Sequence, residues 1–79
     1  MSITYAQHAR DRMKERAIKE QHVRQCLTEP EVHYQGGKGS NIYRARVEGR
    51  MLKVMVAHDR DTDQAKHVVT AAWEDDDGR

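Results

Sequence analysis

Apolar residues near the start of the chain recur at intervals of three and four, the period of an amphipathic helix. The positions concerned are Ala6, Ala9, Met13 and Ala17. They predict a first helix over residues 5–17, with one apolar face turned to a core. Thr4 and Gln7 have the spacing of a capping box, in which both side chains satisfy free backbone N–H groups at a helix start. The first helix is therefore predicted to begin directly after Thr4.

A second helix is predicted over residues 19–28, because another set of apolar residues shares one helical face there. That set consists of Val23, Cys26 and Leu27. Glu20 suits the positive end of the helix dipole, and Pro30 stops the helix. Ile18, in the short connection between the two helices, is expected to pack into the core.

Beyond Pro30 the helical period gives way to runs rich in Val, Ile, Tyr and Thr, which are typical of strands. These runs predict four strands, over residues 31–35, 41–48, 51–58 and 66–73. Two turns join the last three strands, at residues 48–50 and 59–64. Short connections require antiparallel neighbours, because a parallel return needs a crossover of about a dozen residues. The sequence therefore predicts an α+β fold with two N-terminal helices packed on one face of a four-stranded antiparallel sheet.

Length and composition bound the chain to one small domain. It has 79 residues, of which 37% are apolar and none is Phe, so its core must be thin. We expect a single α+β domain over residues 1–74 and an acidic tail over residues 75–79. No stretch resembles a signal peptide, and none approaches the roughly 20 apolar residues of a membrane span. We therefore expect a cytoplasmic protein without a membrane partner.

Charge is distributed unevenly along the chain. Residues 74–79 (EDDDGR) carry a net charge of −3, which leaves +4 on residues 1–73 of a chain with a formal net charge of +1. A basic body favours polyanions such as nucleic acid as partners. The alternative interpretation is an ordinary solvated surface.

The sequence gives little support to metal or cofactor chemistry. The single cysteine, Cys26, excludes a disulfide within the chain and a cysteine-based zinc site, and we expect it to be a core residue. The histidines beyond the first helix lack the spacing of a ligand set. They are His22, His33, His58 and His67. Residues 36–40 (GGKGS) lack the pattern of a phosphate loop and are expected to form a flexible loop. We expect no metal and no cofactor.

Three residues of the first predicted helix could act on a phosphodiester. His8, Arg12 and Arg16 are spaced i, i+4 and i+8, so they share one helix face. A histidine exchanges protons near neutral pH, and arginines hold phosphate oxygens through paired hydrogen bonds. The combination predicts a phosphodiester-cleavage site. The alternative is a solvated helix edge with ion pairs such as that of Glu15 with Lys19.

Residues of the predicted strands extend this candidate site. Arg44 shares a strand face with Arg46, and Lys53 points away from its apolar neighbours in the next strand. Thr70, in the last strand, carries a hydroxyl that could donate to a phosphate. The alternative for each is ordinary, because Arg and Lys often reach solvent from sheet edges and Thr is a good strand former.

Three stretches of the chain carry a resemblance to a known family. They are HARDRMKERAIKEQHVRQCLTEPEVHY from residue 8, YRARVEGRMLKVMVAHD from residue 43 and HVVTAAW from residue 67. Together they resemble small bacterial and phage proteins, the domain-of-unknown-function family 4258, over residues 5–74. The chain departs from the family pattern at Lys19, which stands where a Thr or Ser usually caps the second helix, and in the acidic tail.

That family is similar in fold to the barnase and RelE-like (BECR) toxins, which are metal-independent endoribonucleases. The resemblance implies a RelE/barnase-like sheet with N-terminal helices and a set of catalytic residues. The set is His8, Arg12, Arg16, Arg44, Lys53 and Thr70. His8 is expected to transfer protons, the arginines to hold the scissile phosphate, and Lys53 or Thr70 to support the transition state. The RNA's own 2′-hydroxyl serves as the nucleophile, so no metal or cofactor is implied.

The leading hypothesis is therefore an RNA-directed, toxin-like ribonuclease, a hydrolase acting on transfer or messenger RNA. A cognate antitoxin or immunity protein is the partner that the resemblance implies. The alternative hypothesis is a non-catalytic interaction module of the same fold, which binds a partner protein or nucleic acid. Unpaired sheet edges in a thin-cored domain also make a homodimer a reasonable expectation.

Overall fold

Two helices and five strands are present in the computed structural model, which describes residues 1–37 and 39–74. In chain order they are β1 (Ser2–Tyr5), α1 (Gln7–Glu15), α2 (Glu20–Thr28), β2 (Val32–Gln35), β3 (Ser40–Val47), β4 (Arg50–Asp61) and β5 (Ala65–Trp73). The strands form one sheet in the order β1-β5-β4-β3-β2. Neighbours from β5 to β2 are antiparallel, which confirms that part of the prediction together with the α+β class. The predicted acidic tail at 75–79 lies outside the described residues.

The prediction of a four-stranded, wholly antiparallel sheet is wrong, because Ser2–Tyr5 forms a fifth strand that pairs in parallel with β5. Four residues are too few to show a clear period, and the capping-box spacing of Thr4 and Gln7 favours a helix start instead. In the structure Thr4 lies opposite His67, and its Oγ1 is 2.8 Å from His67 Nδ1. Parallel pairing is allowed because both helices and three strands separate β1 from β5 along the chain.

The first helix is shorter than predicted and ends at Glu15, without a side-chain N-cap at its start. Ala9 and Met13 are buried against the sheet, as predicted. Ala17 is exposed and has a φ of 56°, in the left-handed region, so it does not continue the apolar face. That turn brings Ile18 into the core, where it is buried.

The second helix begins with a side-chain cap that the sequence pattern does not predict. His22 Nδ1 accepts a hydrogen bond of 3.0 Å from the backbone N–H of Lys19. The imidazole is buried, and its Nε2 lies 3.1 Å from a carboxylate oxygen of Glu48. His22 thus fills the third helical position of a capping box whose first member is a lysine. Neither α1 nor α2 is long and apolar enough to cross a membrane.

The hairpin turn between β3 and β4 is confirmed. Glu48 and Gly49 have φ values of 54° and 80°, the two left-handed residues that a type I′ turn needs. Val47 consequently lies opposite Arg50, which sets the register of both strands. The following turn is shorter than predicted, because β4 continues through Asp61.

The hydrophobic core lies between the helices and one face of the sheet. Along β4, Leu52, Val54 and Val56 are fully buried. Lys53 and Met55, between them, lie on the other face because side chains alternate along a strand. The helices and their connection cover the core with Ala9, Met13, Ile18, Val23, Cys26 and Leu27. The helices therefore pack on one sheet face, as predicted.

The opposite face of the sheet carries no helix within residues 1–37 and 39–74, and we call it the open face. Its residues are Val32, Tyr34, Ile42, Arg44, Arg46, Met51, Lys53, Met55, Thr70 and Ala72. Residues directly opposite one another on adjacent strands form rows across this face. Cationic, apolar and hydroxyl side chains are therefore neighbours there.

Candidate functional site

The three candidates of the first helix differ in what they contact. His8 is exposed and makes no hydrogen bond or ion pair with the described residues. Arg12 forms an ion pair of 3.0 Å with Glu15, one turn further along the helix. Arg16 lies at the C-cap of α1 and donates a hydrogen bond of 2.8 Å from Nη1 to the backbone carbonyl of Ala71.

Arg16 can make this contact because β1 is shorter than its neighbour β5. Because β1 ends opposite Val68, the edge of β5 beyond that residue has no strand from residues 1–37 or 39–74 beside it. There the Arg16 guanidinium donates its hydrogen bond to the carbonyl of Ala71. The Trp73 indole N–H in turn donates a hydrogen bond of 2.9 Å to the Arg16 carbonyl. Arg16 thereby fastens the end of α1 to the uncovered edge of β5.

The three candidates of the strands lie together on the open face. Arg44 in β3 is directly opposite Lys53 in β4. Thr70 in β5 is opposite Met55, which lies two residues along β4 from Lys53. Diagonal neighbours of this kind have Cα atoms about 7 to 8 Å apart, within reach of long side chains. The structure therefore brings Arg44, Lys53 and Thr70 into one patch of the open face.

Within this patch, Arg44 forms an ion pair with a carboxylate. Its Nη2 lies 2.8 Å from Oε1 of Glu74, the residue that follows β5. The hydrogen bond that Arg44 donates to Glu74 and the negative charge of that carboxylate raise the pKa of the arginine. Both side chains remain about one-third exposed, at 33% and 29%. An anion that binds Arg44 must therefore compete with Glu74.

The six predicted site residues form two groups that the sheet separates. His8, Arg12 and Arg16 belong to α1, which packs on the core face, whereas Arg44, Lys53 and Thr70 lie on the open face. The division follows from strand alternation, since the core residues of β4 and β5 face α1. The structure does not bring His8 together with the strand group, and its role in proton transfer stays a prediction.

A largely buried polar cluster lies on the core side of the sheet, and the sequence analysis did not identify it. It comprises Asn41, Tyr43, Asp61 and Lys66. Lys66 Nζ lies 2.5 Å from Asp61 Oδ1 and donates hydrogen bonds to the Tyr43 hydroxyl at 3.2 Å and the Thr62 carbonyl at 3.0 Å. Tyr43 and Asn41 donate to the second oxygen of Asp61, at 2.6 and 2.7 Å. The carboxylate and the ammonium are therefore both fully partnered.

This network shifts the pKa values of its members. Burial by itself raises the pKa of Asp61, but hydrogen bonds from Lys66, Tyr43 and Asn41 outweigh burial and lower it overall. Burial lowers the pKa of Lys66, yet its hydrogen bonds to Asp61 and Tyr43 raise it overall. Burial, and then the bond to Asp61, raise the pKa of Tyr43. At neutral pH the cluster therefore holds an ion pair and a protonated phenol.

The polar cluster forms one wall of a cleft of about 570 Å³. The cleft is lined by Met1, Arg24, Leu27, Thr28, His33, Tyr43, Asp63 and Lys66. His33, from the edge strand β2, stacks on Tyr43 with ring centroids 4.0 Å apart and an angle of 12° between the ring planes. The position of Lys66 was the available sequence clue, because it alternates with Val68 toward the core and a lysine there needs a partner.

The family comparison covers nearly all the described elements. The family model described as "Domain of unknown function (DUF4258)" matches residues 5–73. The chain belongs to this family. No curated protein and no solved structure gives a significant match.

The DUF4258 match includes the residues of the open face, the polar cluster and α1. It begins at the last residue of β1 and ends at the last residue of β5, so most of the first strand precedes it. The family description assigns no activity to its members.

Cys26 of this DUF4258 protein is a core residue, as predicted. Its side chain is fully buried, and Sγ contacts the carbonyl oxygens of Tyr43 at 3.5 Å and Leu52 at 3.7 Å. Burial, and to a smaller extent the charge of Glu31, raise the pKa of the thiol to about 12. A thiol that stays protonated and inaccessible does not act as a nucleophile.

Proposed function

We propose that the protein binds single-stranded RNA on the open face of its sheet. The observation that carries this proposal is the convergence of Arg44, Lys53 and Thr70, on three adjacent strands, in one patch. Cationic and hydroxyl side chains are the groups that contact phosphate oxygens in protein complexes with nucleic acids. The net charge of +4 on residues 1–73 favours the same class of ligand.

Apolar and aromatic side chains on the same face supply contacts for bases. Val32 and Tyr34, at the edge of the sheet, are 42% and 44% exposed. Val32 lies opposite Arg44, and Tyr34 lies opposite Ile42 in the neighbouring row. An exposed aromatic ring beside cations suits a strand whose bases are unstacked, because a base can stack on the ring while the backbone contacts the cations.

A second candidate function is metal-independent cleavage of RNA, which the resemblance to barnase and RelE-like toxins implies. The patch of Arg44, Lys53 and Thr70 favours it, since these groups would also stabilise the charge that develops on a phosphate during cleavage. In that reaction the 2′-hydroxyl attacks the adjacent phosphorus, a base removes the hydroxyl proton, and an acid protonates the departing 5′ oxygen. His8 lies on the other side of the sheet, so binding is the better supported function.

The test of binding is fluorescence anisotropy with a labelled single-stranded RNA at several salt concentrations. We expect affinity to fall as salt rises, because phosphate contacts release counterions. Lys53→Ala and Arg44→Ala should each weaken binding and reduce the slope of log K against log salt by about 0.7. Glu74→Gln should strengthen binding, because it frees Arg44. Lys14→Ala, an exposed change on α1, is the control and should leave affinity nearly unchanged.

Binding that does not depend on salt, or an equal loss in Lys14→Ala and Lys53→Ala, contradicts the open-face proposal. The same proteins incubated with total RNA in EDTA decide the second candidate. If His8 transfers the proton, His8→Ala should slow cleavage by about 100-fold or more. If the wild-type protein cleaves RNA and His8→Ala cleaves it at the same rate, His8 does not transfer the proton. If none of the proteins cleaves the RNA, the second candidate function is wrong.

A further inference from the structure

We propose that the cleft on the core side of the sheet, beside the C-terminal half of α2, is a binding site for a nucleoside monophosphate. In this site the base stacks on His33 and the phosphate is held by Arg24. Both residues line the cleft of about 570 Å³, together with Asp63 and Thr28. None of the four lies on the open face, so the inference is independent of the proposed RNA-binding patch.

The stacking platform is the first observation behind this inference. One face of the His33 ring rests on Tyr43, 4.0 Å away and nearly parallel to it. His33 lines the cleft, is exposed and makes no hydrogen bond with the described residues, so the ring face turned away from Tyr43 is free to stack on another ring. A planar base can therefore extend the stack by one layer.

The platform is also rigid before any ligand arrives. Tyr43 is buried, and its hydroxyl is fixed by the hydrogen bond to Asp61 and the one from Lys66. Lys66 is in turn held by Asp61 and by the Thr62 carbonyl. A ring held on a fixed support loses little freedom when a base stacks on it, which favours binding. The three protons of Lys66 are already used, so Lys66 supports the site and does not hold the phosphate.

The charges of the cleft are those that a nucleotide complements. Arg24, on α2, is exposed, and it donates a long hydrogen bond of 3.4 Å from Nη1 to the Met1 carbonyl. Its other N–H groups can hold a phosphate through paired hydrogen bonds. Asp63 is exposed and makes no hydrogen bond with the described residues, so its carboxylate can accept from a ribose hydroxyl or an exocyclic amine. A cation and an anion in one cleft select a ligand that carries both a phosphate and hydrogen-bond donors.

The nucleotide could be free or could be one unit of an RNA strand. β2 forms the edge of the sheet, and its side chains alternate between the two faces, with Tyr34 on the open face and His33 in the cleft. A strand that passes around this edge would meet both surfaces. The chemistry of recognition is the same in both cases, and the experiment separates them by competition.

The experiment is a titration of isotope-labelled protein with adenosine monophosphate, adenosine and inorganic phosphate, followed by amide chemical shifts. We expect saturable shifts with the nucleotide, centred on residues around the cleft, and binding of adenosine or phosphate that is weaker by about tenfold or more. His33→Ala and Arg24→Gln should each weaken nucleotide binding about tenfold. Gln35→Ala and Arg60→Gln, exposed changes outside the cleft, are the matched controls.

The proposal is overturned if millimolar nucleotide gives no saturable shift, if phosphate alone binds as tightly, or if His33→Ala binds like wild type. A short single-stranded RNA that displaces the nucleotide supports a site for one unit of a strand, and one that does not supports a site for the free nucleotide. Lys53→Ala should leave nucleotide binding intact while it weakens RNA binding, so failure of the open-face proposal and failure of this one give different results.

Discussion

Burial decides what the side chain of Cys26 can do. The thiol lies between the helix layer and the sheet, and its Sγ faces two backbone carbonyls. Its pKa, raised to about 12, leaves almost no thiolate at neutral pH. Reactivity at this residue therefore reports on opening of the core and not on surface chemistry.

Cys26 should resist Ellman's reagent at pH 8 in the folded protein and react rapidly in guanidinium chloride, because only unfolding exposes and ionises it. The measurement is the release of thionitrobenzoate with and without denaturant. Reaction in native buffer at the rate of the unfolded protein would show that the thiol is accessible and that the packing of α2 is wrong.

The sequence predicts single residues well where strand or helix period decides their environment, as for Met13, Cys26 and Lys53. It fails for Asp61 and Lys66, because Asp61 lies in a stretch that reads as a polar turn. The ion pair also depends on the register of β4 and β5, which contains bulges that no local pattern reveals. The sequence does not predict the stacking of His33 either, because its partner Tyr43 lies in a different strand.

At the scale of elements, the attachment of α1 to β5 depends on a pair of reciprocal hydrogen bonds. Arg16 donates to the Ala71 carbonyl, and Trp73 donates to the Arg16 carbonyl. These bonds lie where β5 extends past β1 and would otherwise present an open edge. Among the described residues, the guanidinium of Arg12 pairs only with Glu15, a neighbour on its own helix.

Arg16→Ala should lower the free energy of unfolding by about 1 kcal/mol, the usual net contribution of one such hydrogen bond. That loss corresponds to a decrease in Tm of about 4 to 8 °C in a domain of this size. Arg12→Ala is the matched control and should change stability by about 0.5 kcal/mol or less, as is typical of a surface ion pair. Thermal unfolding followed by circular dichroism gives both values, and equal Tm values for the two variants refute the structural role of Arg16.

Element prediction from the sequence succeeds for the helices and the antiparallel hairpins and fails for β1. The turn at Glu48 and Gly49 is local, so its residues alone specify it. β1 is a strand because β5 lies beside it, and this partner is more than 60 residues away, with Thr4 and His67 separated by 63 positions. Because this pairing is non-local and the segment has four residues, no local sequence pattern predicts the strand.

At the scale of the whole molecule, the polar cluster links stability to pH in two directions. The lowered pKa of Asp61 means that its contribution is complete above the ordinary value of 3.8 and is lost as pH falls through the folded-state value below it. The raised pKa of Lys66 means that its contribution is complete below the ordinary value of 10.5 and is lost as pH rises through a value above it. Between these limits the ion pair stabilises the fold.

Asp61→Asn should cost about 3 to 5 kcal/mol at pH 7, because it leaves the Lys66 ammonium buried without its partner. Urea unfolding from pH 7 down to pH 3 should also show a shallower loss of stability than in wild type, since the group that binds a proton is gone. Asp59→Asn, an exposed change on the same strand, is the control.

If Asp61→Asn does not fold, the double variant Asp61→Asn/Lys66→Met tests the ion pair of Asp61 with Lys66 instead. Removing both charges avoids the unpaired ammonium, so the double variant should recover much of the stability at pH 7. A single variant as stable as wild type, or a double variant no more stable than the single one, contradicts the assigned pairing.

The pairing of the first strand with the last has a consequence for the order of folding. Residues 2–5 are synthesised before their partner, residues 65–68, and both helices and the other three strands are made in between. During synthesis the remaining hairpins can close as soon as each is complete, because their contacts are local. Residues 2–5 must wait for this partner, so β1 joins the sheet only after residues 65–68 have left the ribosome.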